Sequence, residues 1–289
     1  MKGRPAILTD LDNTVYNWVD FYAPCFRAMV HTLSGKTRIA ESEIVSQFRK
    51  VFSLFGSVEY PFSIQHLDLC QNLPKDKIRE LVYLGQLAFG RTRRKRLQPY
   101  PGVRETLKWA NNEKILVLGV TNAPLYLAWR RIERLGLSGF FAGIVAGEDF
   151  PLPEGDIFAA EYRSKSNAIQ RKLRWSLRSI KKKPDPAMYQ DVLTAFQLSP
   201  SETWVVGDSL AKDVAPALTI GAKGVWARYG NVWEAHNFQT LLSITHWSEA
   251  QIVNTYSHHE VVPTAVIDSF AQLQNVVQPE QLSLLSDIS

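Results

Sequence analysis

The chain has 289 residues, of which 45% are hydrophobic, 21% charged and 11% aromatic, with 16 Gly, 15 Pro, 2 Cys and a formal net charge of +5. This is globular composition, long enough for one large core or two compact units, and it excludes collagen-like, disordered and disulfide-scaffold chains. Cys25 and Cys70 have no metal or redox spacing, which points to a reducing compartment, and the positive balance favours anionic ligands without choosing among nucleic acid, acidic lipid and phosphorylated metabolites.

From the N-terminus, residues 5–8 form a short apolar run before Asp10, too short for a signal peptide. No stretch reaches the ~18 apolar residues of a membrane span, so a cytoplasmic protein is expected. Residues 6–9 open a series of β-type apolar runs that continues at 115–121, 143–146, 204–206, 224–227 and 264–267. Segments of helical period such as 103–110, 125–135 and 188–196 lie between most of them. That alternation predicts an α/β fold, a parallel sheet covered by helices.

About a hundred residues separate the first run from the second, far more than one crossover helix needs. Segments 20–33, 41–54, 63–73 and 77–88 read as helices, and Pro99, Pro101 and Gly102 mark a turn-rich return. The predicted organisation is a core of residues 1–16 and 100–289 with an all-helical cap inserted at 17–99. The dense basic run Arg91, Arg93, Arg94, Lys95 and Arg96 ends the last cap helix, where solvated cations suit the helix dipole. A second gap, 150–182, should be partly helical. Ile169, Leu173, Leu177 and Ile180 form a stripe on a basic segment that docks on the core through its apolar face or binds acidic lipid or RNA.

The chemistry gathers at run ends. The first strand leads into Asp10-Leu11-Asp12-Asn13-Thr14, which reads either as a turn or helix cap or as two carboxylates delivered to the carboxyl edge of a parallel sheet. The second run ends in Thr121-Asn122, Lys183-Pro184 sets an ammonium on a rigid turn, and Gly207-Asp208-Ser209 follows the run at 204–206, with Asp213 five residues after Asp208.

In these four motifs, which occur in order from Asp10 to Asp213, the chain resembles the haloacid dehalogenase (HAD) superfamily of phosphohydrolases, in the branch with a helical cap inserted after the first motif. The resemblance implies a Rossmann-like three-layer core. It implies that Asp10 is the nucleophile forming an aspartyl-phosphate, that Asp12 is the general acid and base, and that Thr121, Asn122 and Lys183 hold the phosphoryl group. It also implies that Asp10, the main-chain carbonyl of Asp12 and Asp208 bind Mg²⁺, with Asp213 in support. Lys181 and Lys182 compete with Lys183 for its place, and the following proline favours Lys183.

The chemistry is consistent with that implication. A carboxylate attacks phosphorus only when the phosphate's charge is offset, and a hard cation held by oxygen ligands offsets it. The absence of nearby Cys or His argues against zinc. Asp12 separates the reactions: a leaving alkoxide needs a proton and the covalent intermediate needs an activated water, and one carboxyl serves both. Members of the family that cleave carbon–halogen or carbon–phosphorus bonds lack this second aspartate.

The expected function is therefore Mg²⁺-dependent hydrolysis of a small phosphorylated metabolite, with phosphoglycolate, a nucleoside monophosphate, a sugar phosphate and pyridoxal phosphate all open. The Asp-x-Asp-Asn-Thr-aliphatic-Tyr pattern resembles pyrimidine nucleotidase-like members. The alternatives are a sugar-phosphate mutase and a catalytically silent binding protein with a basic surface. Tyr16 and Trp18 either stack on substrate or pack the hinge between core and cap. The six His and eight Trp show no ligand or stacking spacing and read as structural or surface residues. Residues 232–260 carry no functional expectation.

Overall fold

Ala6–Thr9 forms β1, four residues with wholly buried side chains at the centre of a seven-stranded parallel sheet. The structure, a computed structural model, describes residues 4–153, 157–173, 175–245 and 260–277. On one side of β1 lie β2 (Leu116–Pro124), β3 (Gly143–Gly147) and β4 (Ser176–Ser179), and on the other β5 (Thr203–Gly207), β6 (Lys223–Ala227) and β7 (Ala265–Ile267). Side chains alternate across the sheet. Ile7 enters the cluster on one face with Val117 and Trp204, whereas Ala6 and Leu8 enter the other with Leu116 and Val205.

Both faces are covered, which gives three layers and explains why the strands read as unbroken apolar runs. α4 (Val103–Asn112) and α5 (Leu125–Arg134) bury Leu107 and Ile132 on the first face. α7 (Ala187–Phe196) and α8 (Ala215–Thr219) bury Val192 and Ala217 on the second. The chain builds outward from β1 to β4 and then returns to β5 on the opposite side, so β1 and β5 diverge at a switch point. No described helix is long and apolar enough to cross a membrane.

Between β1 and α4 run α1 (Trp18–Thr37), α2 (Glu41–Phe55) and α3 (Lys75–Arg96), with no strand among them. Entry and exit of this helical insertion lie side by side: Tyr16 bridges to Pro99, and the Tyr100 N–H donates to the Val15 carbonyl at 3.0 Å. α9 (Ala235–Ile244) packs on α1 and α2 from the far end of the chain. Asn237 donates to Asp20 at 2.9 Å and accepts from Arg27 at 2.8 Å, so part of segment 232–260 ties the insertion to the core.

Three expectations are corrected. Residues 63–73 are not a regular helix but two 3₁₀ turns, Ile64–His66 and Asp68–Cys70. Their buried side chains, Ile64, Leu67 and Cys70, recur every third residue, which is the 3₁₀ period. The basic segment does not run as a helix to residue 183. α6 spans Ile157–Lys172, and Ser176–Ser179 then pairs with the otherwise open edge of β3. Satisfying that edge outweighs a stripe in which Ile180 ends 83% exposed. Within the basic run, Arg93 is not a solvated end residue, since its Nε is buried.

Of the histidines, His31 pairs with Glu41 at 2.8 Å, His236 approaches Glu234 at 3.6 Å, and His66 packs 5.0 Å from the Phe55 ring. His246, His258, His259 and the tail expected at 278–289 lie outside the described residues.

Candidate active site

The loop after β1 is both a cap and a site. The Asp10 N–H donates to Val206 of β5 at 2.8 Å, and Asn13 takes a left-handed conformation (φ 59°). The Asn13 side chain accepts the Trp18 N–H at 2.9 Å, holding the start of α1. Asn13 thus does the capping work of the motif, while Asp10 and Asp12 line a cavity of about 680 Å³ at the carboxyl edge of the sheet.

Lys183 stands at the centre of the charges. Its buried ammonium bonds Asp10 Oδ1 and, at 2.6 Å, Asp213 Oδ1. Burial works against that charge, but the two carboxylates outweigh it and hold the Lys183 pKa well above the ordinary lysine range. Burial pushes the Asp10 carboxyl up to about 7; Lys183 pulls it back, while Asp213 and Asp12 add to the rise. Asp208 is raised as well, by burial and then by Asp10 and Asp213.

The second carboxylate has its own frame. Asp12 Oδ1 accepts from Arg131 Nη1 at 2.9 Å and from the Tyr16 hydroxyl at 2.8 Å, and Oδ2 lies 3.5 Å from the Thr121 hydroxyl. The other guanidinium nitrogen of Arg131 bonds Glu59 of the insertion, whose carboxylate also accepts from Trp18 Nε1 at 3.1 Å. Tyr16 is fully buried at the crossing between insertion and core, and Trp18 stacks on Tyr22 at 4.9 Å with its ring on the cavity wall.

All the residues expected from the sequence, Asp10, Asp12, Thr121, Asn122, Lys183, Asp208 and Asp213, line this one cavity. The Asn122 side chain is occupied with the main chain of Lys183, donating to its carbonyl at 3.0 Å and accepting from its N–H at 2.8 Å. Lys181 turns outward to Asp191 at 3.2 Å, while Lys182 reaches the cavity wall.

Sequence reasoning missed Arg131, Glu59 and Tyr189, and gave Thr14 no role beyond its place in the first motif. Thr14 spans the site, donating toward Asp10 Oδ2 at 3.4 Å and accepting the Asp208 N–H at 3.1 Å, and its place four residues after Asp10 was the available signal. The Tyr189 hydroxyl donates to Asp213 at 3.1 Å. Gly207 makes the site compact, because a Cβ there would fall 2.1 Å from Asp213 Cγ.

Carboxylate oxygens of Asp10, Asp208 and Asp213 lie within 4.8 Å of one another. An all-oxygen set of crowded carboxylates, two of them held above their ordinary pKa, fits a hard divalent cation such as Mg²⁺ and not a thiophilic metal.

A family model described as haloacid dehalogenase-like hydrolase matches residues 5–221, and a related HAD-hydrolase-like model matches 181–273. Over 81% of this chain and 85% of its own length, the glyceraldehyde 3-phosphate phosphatase of Pyrococcus furiosus is 28% identical. The phosphoglycolate phosphatase of Pseudomonas putida is 27% identical over 45% of this chain and 37% of its own length. In fold, the chain superposes on a 2-haloacid dehalogenase from Pseudomonas syringae with TM-score 0.55, at 19% identity over 95% and 98% of the two chains.

Proposed function

The chain belongs to the haloacid dehalogenase-like hydrolases, and on that footing we propose that it is a Mg²⁺-dependent phosphatase of small phosphorylated metabolites that works through an aspartyl-phosphate on Asp10. The observation that carries this reading is the convergence of Asp10, Asp12, Asp208 and Lys183, from three separate segments, on one cavity. The fold alone does not choose the reaction, since a dehalogenase shares it. The second aspartate, framed by Arg131 and Tyr16, favours phosphoryl transfer.

Asp10 and Asp208, with the main-chain carbonyl of Asp12 and with Asp213 behind them, would hold Mg²⁺, which when bound offsets the phosphate's charge. An Asp10 carboxylate oxygen attacks phosphorus as the bond to the leaving oxygen breaks, and Asp12 gives that oxygen its proton. Asp12 then takes a proton from a water whose oxygen attacks phosphorus, releasing phosphate and restoring Asp10. Lys183 and Thr121 donate to the phosphoryl oxygens, where charge is concentrated. Residues 17–99 act as a cap over the reaction, excluding water and selecting the substrate. The named phosphatases among the relatives favour three-carbon and two-carbon phosphates such as glyceraldehyde 3-phosphate and phosphoglycolate as first candidates.

The test is hydrolysis of p-nitrophenyl phosphate with and without Mg²⁺ by the wild type and Asp10→Asn, followed by those two phosphates, nucleoside monophosphates and sugar phosphates. Metal-dependent release abolished in Asp10→Asn is expected. Absence of release from every ester would overturn the reading, and isomerisation of a sugar phosphate with little free phosphate would replace it with a mutase.

A further inference from the structure

Across the Val58–Glu59 loop from the catalytic cavity lies a second cavity of about 330 Å³ that the chemistry above does not use. Beside residues of α1, α2 and the 58–64 segment, three helices line it: Phe89 and Arg93 from α3, Tyr126, Arg130 and Arg134 from α5, and Phe158 and Tyr162 from α6. Within each helix these positions are four apart, so each turns a ring inward, and two of the three add arginines to it.

The charges here are poorly balanced. Arg130 pairs with Glu133 at 2.6 Å, Lys165 pairs with Glu161, and Arg131 is taken by Asp12 and Glu59. Among the described residues, no carboxylate stands within ion-pair distance of Arg93 or Arg134. Arg93 is half-buried and Arg134 is exposed at the cavity mouth; partial desolvation and repulsion between the arginines lower both pKa values, Arg134 to about 10. Three buried polar atoms also lack a hydrogen-bond partner: Arg93 Nε, Arg130 Nε and the hydroxyl of Tyr162, a residue only 8% exposed. Groups of this kind go unpaired only at a cost, which a bound anion removes.

Guanidinium groups suit phosphate oxygens through paired, charge-assisted hydrogen bonds. Tyr126 and Tyr162, with ring centroids 4.4 Å apart, offer an aromatic wall beside them. The volume sits at the lower end of small-ligand pockets, ~300–1,000 Å³. Glu59, fixed between Trp18 and Arg131, forms the partition from the catalytic cavity. We propose that this cavity is a second binding site, separate from the hydrolytic one, for a small organic phosphate carrying a planar ring, of the size and chemistry of a nucleoside monophosphate. Because its walls belong to the insertion, α3 among them, and to α5 and α6 of the core, an occupant ties the two together.

The test is calorimetric titration of the metal-free protein with adenosine monophosphate. The double variant Arg93→Met/Arg134→Met is expected to bind about tenfold more weakly or worse, while its p-nitrophenyl phosphate turnover stays within about twofold of wild type. Should that variant lose its thermal transition, Tyr162→Phe decides instead, with an expected weakening of about threefold from one lost hydrogen bond. Unchanged affinity in the folded variants would place the nucleotide in the catalytic cavity and overturn the proposal. So would the absence of binding to wild type at about 10 mM, beyond the weakest affinities of specific sites.

Discussion

Arg131 Nη1 lies 2.9 Å from Asp12 Oδ1 although 119 residues separate the two in the chain. Its other arm holds Glu59 of the helical insertion, so the proposed acid and base of the reaction is clasped by a cation that also grips that insertion. Burial opposes the Arg131 charge, but Asp12 and Tyr16 outweigh it and raise its pKa, so the guanidinium is a permanent cation.

Arg131→Met is expected to lower kcat on alkyl phosphates about 100-fold, with a smaller loss on p-nitrophenyl phosphate, whose leaving group needs no proton. It also strands two carboxylates, at a stability cost of about 3 kcal/mol readable by urea unfolding. Equal kcat losses on both substrates would remove the positioning role.

Asn122→Ala leaves the Lys183 main chain without two hydrogen bonds, at 2.8 and 3.0 Å. A stability loss of about 2 kcal/mol is expected, together with a fall in kcat/KM as the ammonium loses its anchor. A variant with wild-type kinetics would show that the 183–184 turn holds Lys183 without Asn122.

Gly207→Ala places a methyl group where Asp213 now packs. Overpacking of this kind costs about 1–3 kcal/mol, and here the strain falls on a carboxylate bonded to Lys183. Both Tm and turnover should fall; preserved turnover would show that Asp213 can move without harm.

Burial pushes the Cys25 thiol up to about 12 and the Cys70 thiol up to about 11, from an ordinary value near 9. Below pH 9 both states keep these protons and the thiols contribute no pH dependence. Between pH 9 and about 11–12 the folded protein retains protons that the unfolded chain releases, so their contribution to stability falls as pH rises through that window. Neither thiol should react with iodoacetamide at pH 8 until urea unfolds the chain. Rapid labelling of the native protein would contradict their burial.

How much of this was legible in the sequence depends on the range of the interaction. β1 and β5 are short apolar runs buried on both faces, and the aspartates that follow them sit at strand ends whatever the loops do, so sheet and edge chemistry could be read directly. Residues 176–179 could not, because an edge strand is specified by the unpaired backbone of its neighbour β3 and carries no period of its own. Arg131 was equally hidden. It sits on an amphipathic helix among other arginines, and only the packing of α5 against the insertion decides which one faces Asp12. Asn122 stands at the strand end that the sequence indicates, but its attachment to Lys183 rests on a contact 61 residues away.

The pairing of Val15 and Tyr16 with Pro99 and Tyr100 has a consequence for engineering. Since the two connections enter and leave at one point, the core meets the insertion as a loop of almost no span, and its length adds only a slowly growing closure entropy. Exchange of residues 17–99 for the equivalent piece of a relative is therefore a graft at two adjacent stitches, with no strand of the sheet displaced. The graft must bring its own counterparts of Asp20 and Arg27, the side chains by which α9 recognises the piece it is sewn to.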